Sequence, residues 1–131
     1  MKKVSVFLLL FTFIVIPMIV YYSMGSSITY PSLALSIPEA RSRRFGLIID
    51  VRSLKERETL GFYPNSIPIS VHRLQQEVPM DISNKATSIL VYSNGDYRAQ
   101  KGAETLYAMG YRNVNYITKP YLALMPGSSM Q

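Results

Sequence analysis

The sequence predicts a small three-layer α/β domain with a mainly parallel sheet, preceded by one N-terminal transmembrane helix. Two observations lead to this fold class. Residues 4–22 form an apolar run without a charged residue, and beyond residue 36 short β-branched runs alternate with segments of helical pattern. A composition of 48% hydrophobic and 17% charged residues in a chain of 131 excludes wholesale disorder. The predicted organisation is an anchor (1–22), a linker (23–35), a folded domain (36–124) and a C-terminal tail (125–131).

The apolar run is long enough to cross a membrane. Its nineteen residues would reach about 28 Å as a helix, close to the roughly 30 Å of the hydrocarbon core. Pro17 is tolerated within a bilayer, and Tyr21 and Tyr22 lie where interfacial aromatic residues belong. A cleaved signal peptide is the alternative, because Ser23 and Gly25 fit the small positions of a cleavage site. We favour the uncleaved anchor, since the run exceeds the usual apolar length of a signal peptide.

The flanking charges predict the orientation of such a single-pass anchor. Lys2 and Lys3 precede the run and favour an N-terminus in the cytoplasm, which places the domain on the non-cytoplasmic side. Arg41, Arg43 and Arg44 weigh against this orientation, but they follow about 20 residues after the run, at the edge of the zone in which such charges count.

The first half of the domain contains two predicted helices, each of which begins at a capping box. Ser36 and Glu39 have the spacing of such a box and predict a short helix. Residues 47–51 form a β-branched run that is typical of a buried parallel strand. Ser53 and Glu56 repeat the capping-box spacing directly after this strand.

The second half of the domain continues the alternation of strands and helices. Gly61 is expected to end the second helix, and residues 67–69 form a short apolar run before a polar connection at residues 72–85. Residues 88–92 are the clearest strand. The helix after it carries small and apolar residues on one face, namely Ala99, Ala103, Leu106, Tyr107 and Gly110. Residues 113–117 predict a last strand.

The composition excludes several classes of function. The chain contains no cysteine, which excludes disulfides, thiolate metal sites and thiol nucleophiles. His72 is the single histidine and no dense cluster of acidic residues accompanies it, so we expect no metal and no other cofactor. The net charge is +6, but acids interrupt the basic residues, as in residues 52–58. We therefore expect no nucleic-acid binding.

The loop after the clearest strand is the candidate site. In open parallel sheets, ligands bind outside the carboxyl ends of the strands, where loops lead into helix N-termini. Backbone N–H groups, a glycine that tolerates positive φ and a fixed arginine charge favour an anion there. The candidate anion-binding residues are Ser93, Asn94, Gly95, Asp96, Tyr97 and Arg98. In the alternative interpretation this is an ordinary loop whose Arg98 pairs with a neighbouring acid.

Three stretches of the chain resemble a known family. They are Ile49-Asp50-Val51-Arg52 with Glu56 downstream, Leu90-Val91-Tyr92 before a loop that ends in Arg98, and Gly110-Tyr111-Arg112-Asn113-Val114. Their order and spacing, over about residues 36–124, are similar to those of a rhodanese-like domain. The resemblance implies a compact α/β domain whose strand-to-helix loop holds a cysteine that carries sulfur as a persulfide. The related dual-specificity phosphatases use a similar loop, one residue longer, for phosphate.

The chain departs from this pattern where the cysteine would stand. Ser93 follows the strand directly, and a serine hydroxyl cannot form a persulfide. The sequence identifies no base for serine chemistry, since its one histidine, His72, lies in the polar connection. We therefore expect no catalytic residue. Asp50, Arg52 and Glu56 match the family and are interpreted structurally, as a strand-end cap and an ion pair that hold the first strand-to-helix turn.

These observations predict a membrane-anchored protein that resembles the family, lacks its catalytic cysteine and serves as a binding or scaffolding module with an anion pocket. The alternative is an enzyme related to sulfurtransferases or phosphatases that works through Ser93. A third hypothesis is a protein-binding surface formed by the tyrosines Tyr63, Tyr97, Tyr111 and Tyr121. The expected partners are a membrane, through residues 4–22, a small anion and an unidentified protein.

Overall fold

The structure, a computed structural model, describes Leu9, residues 12–18 and residues 30–129. The chain divides into two compact units, Met1–Pro31 and Ser32–Gln131. In the first unit residues 12–18 are helical. Most of the predicted anchor (4–22) and residues 23–29 of the predicted linker lie outside the described residues. Within the part of the chain that the structure describes, no helix is both long enough and apolar enough to span a membrane.

The second unit is a parallel four-stranded sheet with helices packed on both faces. Its strands are β1 (Leu47–Asp50), β2 (Ile67–Pro68), β3 (Ile89–Tyr92) and β4 (Val114–Tyr116), in the spatial order β2-β1-β3-β4. Its α-helices are α1 (Ile37–Ser42), α2 (Leu54–Leu60), α3 (Leu74–Asp81) and α4 (Tyr97–Ala108). Two short 3₁₀ helices, Val71–Arg73 and Tyr121–Leu124, complete the unit. The predicted α/β class with a parallel sheet is confirmed.

The side chains of β3 alternate between two cores and so create the three layers. Ile89 and Val91 pack on the side of α3 and α4, whereas Leu90 and Tyr92 pack on the side of α1 and the C-terminal 3₁₀ helix. All four are at most 1% exposed. This is the two-residue period of a strand that is covered on both faces, which is why the run reads as continuously apolar.

The register of the sheet brings the ends of β1 and β3 together. Ile49 pairs with Val91 and Asp50 pairs with Tyr92, so the last residues of the two strands are neighbours. The chain segments that follow them begin at adjacent points on the same edge of the sheet. This edge holds the candidate site.

The predicted polar connection at residues 72–85 contains a helix that the sequence pattern did not reveal. Only Leu74 and Val78 of α3 are buried, four residues apart on one face, and Pro79 lies inside the helix. Two apolar positions and a proline give a weak helical signal. The helix forms because both apolar side chains, at 0% exposure, complete the core beneath α4.

The folded unit extends beyond both predicted domain boundaries. Leu35, which we assigned to the linker, is buried, and its backbone N–H donates to Tyr116 O at 2.8 Å. At the other end, the guanidinium of Arg41 donates to Met125 O at 3.1 Å and to Ser128 O at 3.2 Å. The carbonyls of the predicted tail thus contact α1.

Candidate functional site

An ion pair between Asp50 and Arg52 forms the base of the site. Asp50 is the last residue of β1, and Arg52 follows it by two positions. Nε and Nη2 of Arg52 donate to Oδ1 and Oδ2 of Asp50 at 2.9 and 2.8 Å, a bidentate arrangement, and both side chains are 0% exposed. The backbone N–H of Arg52 also donates to Oδ1 at 3.0 Å. A buried ion pair thus lies at the carboxyl end of β1.

Further contacts compensate the burial of this pair. Tyr92 Oη donates to Asp50 Oδ2 at 3.1 Å, and Arg57 Nη1 donates to the same oxygen at 3.2 Å. Arg52 donates to Gly61 O at 2.6 Å, and its guanidinium carbon lies 5.5 Å from the ring centroids of both Tyr92 and Tyr121. A buried ion pair is tolerated only when its remaining donors and acceptors are satisfied, as they are here.

Protonation at the base of the site follows from these contacts. Burial alone would raise the pKa of Asp50, but the hydrogen bonds and charge of Arg52 outweigh it and hold that pKa below its usual value. The hydrogen bond to Asp50 raises the pKa of Arg52. Burial raises the pKa of Tyr92. The pair is therefore ionised at neutral pH, and the tyrosine is a neutral donor.

Asn94 connects this buried pair to the outer part of the site. Its amide oxygen accepts a hydrogen bond from Arg52 Nη1 at 2.9 Å, and its amide nitrogen donates to Glu56 Oε2 at 2.7 Å. Glu56 is also the third residue of α2 and forms the capping box of that helix with Ser53, whose hydroxyl donates to it at 3.0 Å. One amide thus links the first strand-to-helix turn to the loop after β3.

Arg98 is held between two carboxylates. Nη1 and Nη2 donate to Oε1 and Oε2 of Glu56, both at 2.7 Å, while Nε and Nη2 donate to Oδ1 and Oδ2 of Asp96 at 3.1 and 2.8 Å. The hydrogen bonds from Arg98 lower the pKa of Glu56 to about 2 and that of Asp96 to about 2. The structure therefore contains the pairing with neighbouring acids that was the alternative interpretation of Arg98.

The carboxylate of Asp96 accepts hydrogen bonds from within the predicted anion-binding loop. It is the N-cap of α4, and its Oδ1 accepts from the Arg98 backbone N–H at 3.0 Å and from Ser93 Oγ at 2.9 Å. Gly95 has a φ of 83°, and a Cβ there would approach Thr118 O at 3.2 Å, so the tight turn requires glycine. The Arg98 backbone N–H and the Ser93 hydroxyl thus both donate to a carboxylate of the same loop.

Ser93, at the position of a nucleophile, is closed off from solvent. It is 0% exposed, and its hydroxyl donates to Asp96. Among the hydrogen bonds of the described residues, none joins it to a histidine, and His72 is exposed on a 3₁₀ helix. The remaining loop residue, Tyr97, is 63% exposed and begins α4.

The site also includes residues that the sequence did not single out. Arg57 bridges Asp50 and Ser66, and Tyr92 Oη meets Ser66 Oγ at 2.9 Å. The one indication of this role in the sequence was the position of Tyr92 at the end of the strand, from which its hydroxyl reaches the carboxyl edge of the sheet. Its partners are 26 to 42 residues away in sequence, so no local pattern identifies them.

The hypothesis of a tyrosine surface is wrong for one of its four members. Tyr111 is 0% exposed and donates its hydroxyl to Ile82 O at 2.7 Å, so it belongs to the core. Tyr63 and Tyr121 are half-buried against the second core. Of the four, only Tyr97 is an exposed aromatic ring.

Comparisons with known proteins agree with this architecture. The family model of the rhodanese-like domain matches residues 34–122. The human single-domain sulfurtransferase TSTD1 superposes with a TM-score of 0.61 at 19% identity, over 76% of this chain and 100% of that one. Protein hp1203 of Helicobacter pylori gives 0.59 at 25% identity over 70% and 81%, and the single-domain sulfurtransferase RDL2 of Saccharomyces cerevisiae gives 0.55 at 18% over 75% and 91%. No curated protein sequence matches the chain.

Proposed function

Because the chain belongs to the family of rhodanese-like domains, we propose that it is a non-catalytic member that serves as a binding or scaffolding module, anchored to a membrane by residues 4–22. One observation carries the non-catalytic assignment. The residue that stands where the family has its cysteine is Ser93, which is buried and donates its hydroxyl hydrogen to Asp96. The rest of the chain contains no cysteine that could replace it.

Sulfur relay requires a nucleophile that ionises and then holds the transferred sulfur in an S–S bond. A serine hydroxyl cannot form that bond, and it becomes nucleophilic only beside a base. Its neighbour Asp96 has a pKa of about 2, far below the range in which a carboxylate is an effective general base at neutral pH. These properties speak against the alternative of an enzyme that works through Ser93.

The charges at the loop also bear on the predicted anion pocket. Arg98 is the only cation of residues 93–98, and its guanidinium already donates to Glu56 and Asp96. An external sulfate or phosphate would have to compete with both carboxylates, so we expect weak anion binding. Anion binding at this loop stays a prediction, and Arg98→Ala tests it: loss of sulfate or phosphate affinity in a folded variant would assign the pocket to this loop.

The decisive experiment is sulfur transfer from thiosulfate to a thiol acceptor, followed as release of sulfite by the purified full chain. We expect the wild type and Ser93→Ala to release no more sulfite than a protein-free blank. Sulfite release by the wild type that disappears in Ser93→Ala would refute the non-catalytic role and support the enzyme hypothesis.

The membrane anchor is tested separately by extraction of membranes from cells that express the full chain. The nineteen-residue apolar run supports a single span, and we expect the chain to stay in the membrane fraction at alkaline pH. Release into the soluble fraction, or a mature protein that begins near residue 26, would favour the cleaved signal peptide. Because Lys2 and Lys3 favour an N-terminus in the cytoplasm, we propose that the domain lies on the non-cytoplasmic side, where added protease would digest it in intact cells.

A further inference from the structure

A surface groove lies away from the loop of Ser93, on the sheet face that α1 covers. It is a groove of about 610 Å³ between α1, the sheet and the C-terminal 3₁₀ helix. Its floor is apolar and includes Phe45, Ile48, Leu90 and Leu124. We call it the arginine groove, because Arg41, Arg43 and Arg44 line its rim and no acidic residue does.

Among the residues that the structure describes, the three rim arginines have no carboxylate partner. Arg41 donates to backbone carbonyls such as Ala123 O at 3.1 Å, and Arg43 donates to the neutral amide of Asn115 at 3.4 Å. In the described residues, none of the five ion pairs within 4.0 Å involves Arg41, Arg43 or Arg44. The nearest acid in sequence, Glu39, instead accepts a hydrogen bond from the Ser36 hydroxyl at 2.9 Å.

The remaining arginines of the described residues are satisfied differently. Four of them pair with carboxylates and one lies 4.3 Å from the centroid of a tyrosine ring; these are Arg52, Arg57, Arg73, Arg98 and Arg112. Among the described residues, guanidinium groups without a carboxylate partner are thus concentrated at this groove. A guanidinium is planar and weakly hydrated and binds carboxylates in a bidentate manner, so the rim is complementary to an acidic partner.

The small exposed area of the apolar floor limits the apolar part of the ligand. Leu90 and Leu124 are already 1% and 7% exposed, so only the half-buried Phe45 and Ile48 offer substantial apolar surface. Such a floor accommodates one or two side chains but does not enclose a long acyl chain. Three cations in four consecutive positions, residues 41–44, suit several carboxylates rather than one.

We propose that the arginine groove binds an acidic segment of a partner protein that inserts one aromatic or aliphatic side chain between the arginine rim and the floor. This rests on the binding role proposed above and supplies the chemistry of the partner. The site is distinct from the loop of Ser93, because none of residues 93–98 lines it. Its lining comes from α1 and the segment after it, from Ile48 and Leu90 of the sheet, and from Tyr63, Leu124 and Pro126.

The test uses the full chain in phosphatidylcholine nanodiscs and a fluorescein-labelled peptide of four glutamates that flank one phenylalanine and one leucine. Binding is measured by fluorescence anisotropy at low ionic strength. We expect Arg43→Gln combined with Arg44→Gln to weaken peptide affinity about tenfold, the effect of losing two exposed ion pairs. Both side chains are exposed, so the fold should persist.

A matched control removes two exposed cations elsewhere. Lys55→Gln combined with Lys101→Gln changes the net charge equally and should leave affinity within about twofold, because neither residue lines the groove. A peptide with glutamine in place of glutamate should bind at least about tenfold more weakly. Equal losses in the two double variants would refute the proposal, since they would indicate non-specific attraction.

Other occupants give different results. If decanoate binds the wild type and not the Arg43→Gln, Arg44→Gln variant, while the peptide binds neither, the groove is a lipid site and the proposal is wrong. Concentration-dependent dimerisation that is lost in the same variant, again without peptide binding, would assign the groove to a second copy. Ser93→Ala should leave peptide affinity unchanged, so sulfur-transfer activity in the wild type would refute the non-catalytic role without affecting the groove.

Discussion

A thiol introduced at position 93 should titrate well above the ordinary range of cysteine. Ser93 Oγ lies 2.9 Å from Asp96 Oδ1, and Asp96 has a pKa of about 2, so it is charged at every pH at which a thiol ionises. A thiolate formed by Ser93→Cys would therefore face a carboxylate at contact distance. Like charges at such a distance disfavour ionisation of the second group.

The expected shift follows from the geometry. Two unit charges about 3.3 Å apart repel by about 5 kcal/mol at an effective dielectric constant of about 20. The Asp96 side chain is 42% exposed and paired with Arg98, so screening reduces this value, and we take about half. About 2.5 kcal/mol corresponds to about 2 pKa units, which moves the thiol from about 8.5 to about 10.5. The thiolate fraction at pH 7 then falls about a hundredfold.

Nuclear magnetic resonance of a cysteine labelled at its β-carbon measures this pKa directly. The natural chain contains no cysteine, so Ser93→Cys gives one resonance, and no reagent has to reach a position that is 0% exposed. Asp96→Asn added to Ser93→Cys is the matched variant. Asparagine retains the N-cap of α4 while it removes the charge. We expect the thiol pKa to be about 2 units lower in the double variant.

Two results would refute this reasoning. Equal thiol pKa values in the single and double variants would mean that Asp96 does not contact residue 93 in solution. A pKa at or below about 8.5 in the single variant would mean that Arg98 and the loop amides outweigh the carboxylate. The same pair of variants serves in the sulfite assay, where we expect Ser93→Cys alone to remain nearly inactive.

Three further predictions concern stability. Glu56 has a pKa of about 2, against an ordinary value of 4.5. The stability that its carboxylate contributes is therefore fully present above the ordinary value and is lost as the pH falls through the lower one. In urea denaturation, the free energy of unfolding should fall less on acidification in Glu56→Gln than in the wild type. Arg52→Met should lower the free energy of unfolding by about 3–5 kcal/mol, because Asp50 stays buried without its main partner, and adding Asp50→Asn should recover part of the loss. Gly61→Ala should cost about 2–4 kcal/mol and Gly127→Ala about 1, because both have φ near 80° but only the first would place a Cβ 2.5 Å from a tyrosine hydroxyl.

Each of these predictions has a contradicting result. Parallel stability curves of the wild type and Glu56→Gln across the acid range would show that the carboxylate gains nothing from Arg98. If Asp50→Asn added to Arg52→Met recovers no stability, the loss does not come from an uncompensated buried charge. Equal losses at the two glycines would attribute both to backbone strain and none to steric conflict.

Local signals predicted the elements that depend on residues close together in the sequence. The hydroxyl of Ser36 accepts from the Glu39 backbone, and the complete capping box of Ser53 and Glu56 is present. Such motifs depend on residues three positions apart, so the sequence displays them directly. The apolar run that forms β3 could also be predicted, because a strand covered on both faces needs apolar side chains at every position.

The features that escaped prediction depend on contacts between distant parts of the chain. Helix α3 has two buried residues and an internal proline, and it is stabilised by the core beneath α4 rather than by its own propensity. Asn94 joins Arg52 and Glu56 from 42 and 38 positions away. The residue types of the site could be predicted from the sequence, but not that Arg98 would pair with both Glu56 and Asp96.

The pairing of Arg98 also decides what the absence of a cysteine means. A reactive thiolate needs uncompensated positive charge nearby, because that charge lowers the thiol pKa and attracts an anionic sulfur donor. Here the single cation of the loop is shared by two carboxylates, and one of them contacts the side chain at the nucleophile position. Ser93→Cys would therefore introduce a sulfur atom without the electrostatic environment that makes a thiol reactive. We therefore expect sulfur transfer at this loop to need both a thiol at position 93 and the loss of the negative charge at Asp96. The double variant, and not Ser93→Cys alone, tests whether the domain can support it.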